Sequence, residues 1–569
     1  MLYSILIWVT FGAACLVVGT ALLSLLKIRC FESSKDYYSL AVWLGVVVFA
    51  LSFLSLSLWV PLSAWVGATM VTALVSLSLV SADTRKSVFG FCQHLSPGIS
   101  LQFLCLGLAV AALTIQQMEW FDSGLYHIGA IKWLSEFGSV PGVALIHHRF
   151  GFTSAWFALS APLTPEFLGT RIGATTNGLI FLIFSWHFLL TLAQTSERTF
   201  ADWFIVTSSS LIIPALVVEA LTGSPLLISF SPDVSIILLI TVAAWTILVT
   251  GTSPAAATSS NARIVPVVLA IGAVAMKLTA LPLLAIAVLF YLCQNCGTHA
   301  QSVVKRALTL GFLLVLVLTP VAASGIVTSG CPLFPSTFMC LDLPWTVPEQ
   351  LANQELTQVR GQQTMAETRP GYLVWLWQQW IHYPKSQLIL GLLVVSMGAT
   401  GWWLWKHHQR QRQEVTWVAA LGSLGLLFIV FKAPWIRFGI GYGILIPALI
   451  LAHGCQNTWG RVKPLLPSSL LSLQQQQISA LVHFAGTLLA SLAIVVLMND
   501  KLQSRLLLPA NLPQPQVVQS KINDVEYVYP EDWYLRCWAA SLPCAEVPKK
   551  GIKLRDPSQG IRAGFVRAE

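Results

Sequence analysis

Charge is scarce in this chain. Asp, Glu, Lys and Arg make up 10% of its 569 residues, where soluble globular proteins carry about 25%. That excludes an ordinary water-soluble domain. Long polar stretches are scarce too. Runs of about 20 apolar residues recur from end to end, each long enough to cross the hydrocarbon core, and the mean hydropathy is +0.71. A basic segment ahead of the first run is missing. That run, 2–26, is also too long for the apolar core of a secretory signal, so it is expected to remain as a span. No internal repeat of spans is visible, which argues against the transporters built on such repeats. Tight metal-binding spacing is absent as well: "CQNC" at 293–296 has no second pair, which disfavours a metal or redox role there. Acidic excess is the last absence. The net charge of +9 calls for no nucleic-acid partner, because basic residues set topology in membrane proteins.

What is present reads as an all-α polytopic membrane protein embedded in membrane lipids. The expected spans are roughly 2–26, 39–58, 61–82, 99–118, 171–193, 203–221, 234–251, 264–276, 278–294, 308–327, 387–405, 415–431, 439–454 and 478–497, about fourteen in all. Short loops rich in Lys and Arg belong in the cytoplasm. Here they carry Lys27, Arg29 and Lys35; Arg85 and Lys86; Lys305 and Arg306; Lys406, Arg410 and Arg412; Arg461 and Lys463. This pattern places both termini outside. It also requires 264–294 to be a tight hairpin turning near Lys277, since one long span there would put two later basic loops outside.

The chain then divides into N-terminal spans (1–118), a first large outer loop (119–170), further spans (171–327), a second large outer loop (328–386), further spans (387–497) and an outer C-terminal tail (498–569). Of the eleven cysteines, four lie in the outer segments as two close pairs, Cys331 with Cys340 and Cys537 with Cys544. Close pairs on the oxidising side read as disulfides.

The first outer loop opens with "FDSGLYHIGAIKWLSEFG" at 121–138. At 3.6 residues per turn, Tyr126, Ala130, Trp133 and Phe137 share a face, with Lys132, Ser135 and Glu136 opposite. This predicts an amphipathic helix lying flat at the outer membrane interface, ended by Gly138. Asp122 has two compatible readings, a helix N-cap and a chemical group.

An Asp in the first large outer loop, followed by "YH" and a juxtamembrane amphipathic helix, resembles the GT-C superfamily of integral-membrane glycosyltransferases. The likeness continues through "HHRFGFTSAWFAL" (147–159), "SFSPDVSIILL" (229–239), "AMKLTALPLL" (275–284), "SGCPLFPS" (329–336) and "APWIRFGIGYG" (433–443). The tail is similar to that of a poorly characterised bacterial branch. Four spans precede the Asp loop, where better-known members have one.

The resemblance implies an enzyme of the bacterial plasma membrane. It would move a sugar from a polyprenyl-phosphate donor to a glycan, lipid or protein acceptor at the outer face, with inversion. A base is then needed near the acceptor hydroxyl, and cations near the leaving phosphate. By analogy Asp122 is the base, with a pKa expected to be raised by partial desolvation.

Asp233, at the mouth of the seventh span, is either a cap or a second carboxylate of the site. Arg149, Lys277 and Arg437 are candidates to hold phosphate, and Lys277 stands out as a charge in an apolar stretch. Tyr126 and His127 are candidate substrate contacts. His147 and His148 crowd the same loop, so a divalent cation remains an option, although the spacing matches no tight motif. The alternatives are an O-antigen-type polymerase or ligase, and a transporter.

Overall fold

The structure, a computed structural model, describes residues 1–28, 31, 33–94, 97–194, 198–221, 225–252, 262–293, 300–360, 374, 384–406, 413–462, 486, 504–531, 535–547 and 549–568. Among these, nine helices are long and apolar enough to cross a membrane. A further pair, Ala64–Leu79 with Ala82–Gln93, passes the same test together but bends by 102° at its break. Shorter apolar helices cover Ile264–Met276, Leu278–Leu292 and Leu390–Gly401. The chain is thus an all-α membrane protein in its main body. The span expected at 478–497 and the aromatic stretch at 371–383 lie almost wholly outside the described residues.

Burial is uneven: Asp233–Gly251 is buried over most of its length, whereas Val304–Ser329 is mostly exposed, as suits apolar helices at the outside of a bundle that meets lipid. The first two, Leu2–Leu25 and Ser34–Ser57, pair through Phe11 and Phe49, whose ring centroids lie 5.0 Å apart. They also brace later parts of the chain. Trp8 Nε1 donates to the Thr175 carbonyl at 2.8 Å, and the Tyr3 hydroxyl donates to the Leu163 carbonyl at 2.9 Å. The N-terminal spans, whose purpose the sequence left open, therefore buttress the first loop and the Thr175–Leu192 helix.

Long-range bonds show which segments share an end of the bundle. The Met1 ammonium donates to the Arg505 carbonyl at 2.8 Å, and Leu2 N–H donates to the Leu506 carbonyl at 2.9 Å. Ile172 N–H donates to the Ala510 carbonyl at 3.1 Å. The N-terminus, the first loop and the tail thus lie together. At the opposite end, Lys35 Nζ pairs with Asp202 Oδ1 at 2.9 Å, joining the starts of Ser34–Ser57 and Phe200–Leu221.

Residues 264–292 form a hairpin and not one long helix. Lys277 is extended, at φ −160° and ψ 132°, and Pro282 opens the helix Leu281–Leu292. The Arg263 guanidinium, at the start of the first arm, lies 4.6 Å from the ring centre of Phe290, near the end of the second. The far ends of the two arms therefore meet, and Lys277 is delivered to the same end as the tail.

The described part of that tail is small, with two short strand pairs and one 3-10 turn, Gly560–Ala563. Val517–Ile522 pairs antiparallel with Val525–Pro530, from Val517 opposite Pro530 to Ile522 opposite Val525. Ile552–Leu554 pairs with Phe565–Arg567. Disulfides join Cys331 to Cys340 and Cys537 to Cys544.

Candidate active site

The segment after Pro97–Thr114 does not begin with a capping Asp. Asp122 is itself helical, at φ −63° and ψ −26°, and its side chain caps nothing. The chain then forms a π-helical turn, Ser123–His127, before the α-helix Ile128–Glu136. Turns of this kind widen the backbone and often lie at functional sites. The α-helix does not lie exposed on a membrane surface, as its pattern suggests. Lys132, on the polar face, donates to the Ala540 carbonyl of the tail at 2.7 Å, and Ser135 is buried. The tail thus reaches that face at Lys132, while Glu136 stays exposed.

Asp122 is spent on arginines instead. Arg437 Nη2 stands 2.9 Å from its Oδ2, and Arg149 Nη1 stands 3.3 Å from its Oδ1. Arg437 also reaches Asp233, with Nε 3.5 Å from Oδ2. Asp233 opens the Asp233–Thr252 helix, accepts from the Ser231 hydroxyl at 2.9 Å and is paired with Lys277. One guanidinium thus bridges two carboxylates from separate elements. The structure brings Asp122, Asp233, Arg149, Lys277 and Arg437, each a candidate in the sequence, into one set of linked ion pairs. The capping reading fails for Asp122, and the Asp233 carboxylate is taken up by its ion pairs.

One expectation about Asp122 is reversed. Burial does oppose its ionisation, but the guanidiniums of Arg437 and Arg149 outweigh burial, and its pKa lies below the usual carboxylate range. As the structure stands, Asp122 is an ionised, weakly basic carboxylate.

Aromatic rings wall the cations. Lys277 Nζ lies 3.8 Å from the ring centre of Phe438, and the Arg437 guanidinium lies 5.4 Å from Trp120. The Arg149 guanidinium lies 5.4 Å from the Tyr126 ring. His127 lies behind this layer. Its Nδ1 is 3.2 Å from the Ser123 hydroxyl, and its ring packs on Tyr126 and Phe157. Burial holds the His127 pKa down to about 3, so the ring is neutral. The ring is buried and braces the turn that carries Asp122 through Ser123.

Arg149 continues the network outward. Its Nε lies 3.1 Å from Glu355 Oε1 and its Nη2 lies 3.3 Å from Gln358 Oε1, both on the helix Glu349–Val359. Glu355 is 1% exposed, and burial pushes its pKa up against the pull of Arg149. His148 Nε2 stands 3.4 Å from Glu355 Oε2, and His147 Nε2 stands 3.3 Å from Glu546 Oε1 of the tail. The sequence did not point to Glu355 or Glu546. Each is one acidic residue in an ordinary polar context, and only the fold brings it to Arg149 or His147. Among the described residues no three His, Cys, Asp or Glu side chains converge to hold a metal ion. Arg437 stands between Asp122 and Asp233, and Lys277 pairs with Asp233.

Residues 1–444 match the family model described as "Domain of unknown function (DUF8201)". The chain belongs to the DUF8201 family. No curated protein and no solved structure matches it. Asp122, Arg149, Asp233, Lys277 and Arg437 all lie within the DUF8201 match, and the tail that covers the first loop lies beyond it.

Proposed function

We propose that this protein is a membrane glycosyltransferase. It takes a sugar from a polyprenyl-phosphate carrier and transfers it to an acceptor hydroxyl at the extracytoplasmic face of a bacterial plasma membrane. One observation carries the reading: Arg437 bridges Asp122 and Asp233 at an end of an apolar bundle, with Lys277 and Arg149 beside it. Such a constellation combines a proton acceptor with three cations able to hold a phosphate. It stands where a lipid carrier can keep its tail among the spans. Among the described residues Lys35 and Arg306 stand towards the opposite end, which supports an outward-facing site.

In this mechanism the donor phosphate competes with the carboxylates for Arg437. The guanidinium makes two-pronged contacts to either anion. As Arg437 turns to the phosphate, Asp122 loses its nearer counter-charge and burial begins to dominate. Its basicity rises when a donor is bound. The acceptor oxygen then attacks the anomeric carbon while its proton passes to Asp122. The bond from that carbon to the phosphate oxygen breaks, and both of its electrons leave with the lipid phosphate. Arg437, Lys277 and Arg149 balance the charge that develops there. Asp233 holds Lys277 and Arg437 in place between turnovers.

The test is a strain lacking the protein, with lipid-linked sugars and surface glycans measured by mass. Loss of a glycan with build-up of a polyprenyl-phosphate sugar, reversed by the wild-type chain, is the expected result. Unchanged glycans and unchanged carriers would overturn the proposal.

A further inference from the structure

The tail does more than cover the first loop. The disulfide between Cys537 and Cys544 closes a short loop, and Trp538 is its first inner residue. Trp538 is 5% exposed and holds φ at +39°, a region that side-chain-bearing residues rarely adopt. Such a conformation persists only where the surroundings impose it. The surroundings here are the π-helical turn after Asp122. Trp538 N–H donates to the Gly124 carbonyl at 3.1 Å. Its indole lies flat enough on Gly124 that any Cβ at that position would overlap the ring. Two residues along the same loop, the Ala540 carbonyl takes the Lys132 ammonium at 2.7 Å. The loop therefore grips the chain on both sides of His127, and one of its grips is two residues from Asp122.

We propose that Trp538 is a positioning residue for Asp122. The closed 537–544 loop presses its indole and its N–H onto the turn, and this sets where the carboxylate stands between Arg149 and Arg437. The inference rests on the glycosyltransferase reading for its effect on rate, but not for its effect on the turn. Within this π-helical turn the Gly124 carbonyl takes a partner from outside the turn. Trp538 is that partner, and it comes from outside the family-matched segment.

The experiment uses the full chain in detergent or lipid discs, with Trp538→Ala, Trp538→Phe and Gly124→Ala. Each is also made in an Asp122→Asn background. Two readouts are taken: amide hydrogen exchange along 120–136, and sugar transfer from a polyprenyl-phosphate donor. Trp538→Ala and Gly124→Ala should speed exchange at 123–128 and leave the spans protected. They should lower kcat by about tenfold to a hundredfold, the scale of a misplacement near 1 Å, with the donor KM little changed. Trp538→Phe should restore most of both. In the Asp122→Asn background no further loss of transfer should appear, because the two changes act through one group. Unaltered exchange at 123–128 in Trp538→Ala would overturn the proposal, and so would an equal loss of transfer in both backgrounds. If Trp538→Ala does not fold, Gly124→Ala and Trp538→Phe decide by the same readouts. A wild-type chain that transfers no sugar would overturn the glycosyltransferase reading, while hydrogen exchange would still decide whether Trp538 holds the turn.

Discussion

Arg437→Gln removes the guanidinium that joins Asp122 to Asp233, and its consequences can be worked through from the geometry. The side chain of Arg437 is 30% exposed, whereas those of Asp122 and Asp233 are 12% and 2% exposed. Removing one partner of a buried ion pair costs about 3–5 kcal/mol, because the other charge is left without compensation. Solvent at Arg437 screens part of this, so a loss of about 2 kcal/mol is expected at neutral pH.

The pH dependence has a definite sign. In the wild type the Asp122 pKa is depressed, so its pairing stabilises the fold above the unfolded carboxylate value near 4 and fades as pH falls through the folded value. In Arg437→Gln that depression is largely lost. The stability gap between the two proteins should therefore be full at pH 7 and narrow as pH falls below about 4. A second change should rescue the first: Arg437→Gln with Asp122→Asn removes the stranded charge and should be more stable than Arg437→Gln alone. Thermal unfolding in detergent, followed by intrinsic fluorescence at several pH values, measures all three proteins. Equal stability of Arg437→Gln and wild type at pH 7, or a double variant weaker than the single, would refute the reasoning.

Further outcomes are expected. Lys277→Gln should raise the donor KM more than it lowers protein yield, since Arg437 still neutralises Asp233; an unchanged donor KM would contradict its part in phosphate handling. Cysteines introduced at positions 350 and 550 should react with a membrane-impermeant maleimide applied outside, and one introduced at Lys86 should not; outside labelling at Lys86 would contradict the orientation. Burial holds His127 at about 3 and His148 at about 4. Groups whose folded pKa lies below the unfolded value near 6.5 stabilise the fold above that pH and lose this as pH falls. The melting temperature should therefore drop between pH 7 and pH 5, and a constant or rising value would contradict their burial as neutral rings.

The helical body was legible because apolar length is a direct physical signal: a segment either can or cannot span the hydrocarbon core. The hairpin at Lys277 was legible for a related reason. A lysine deep in lipid is costly, and the basic loops on both sides demanded an even count. Asp122, Asp233, Arg149, Lys277 and Arg437 were legible as charges where charge is rare. Their mutual geometry was not. Arg437 is more than 300 positions from Asp122 in sequence, and nothing local says that it will bridge two carboxylates. That bridge is why the Asp122 pKa falls where desolvation alone would raise it. The amphipathic pattern of 128–136 marks a two-faced helix, but periodicity does not say what covers the polar face. The tail meets it at Lys132, through the Ala540 carbonyl. The β-structure of that tail was likewise hidden, because its strands are six residues long or shorter.

The central claim is that Asp122 accepts the proton of the acceptor hydroxyl. Asp122→Asn keeps the shape of the side chain and removes the charge. The decisive measurement is sugar transfer by this variant, reconstituted with a polyprenyl-phosphate sugar and compared with wild type at equal amounts of folded protein. The account predicts that the variant still binds the donor while its transfer rate falls by about 10²–10⁴-fold, the usual size of a lost general base. Transfer at the wild-type rate would contradict it.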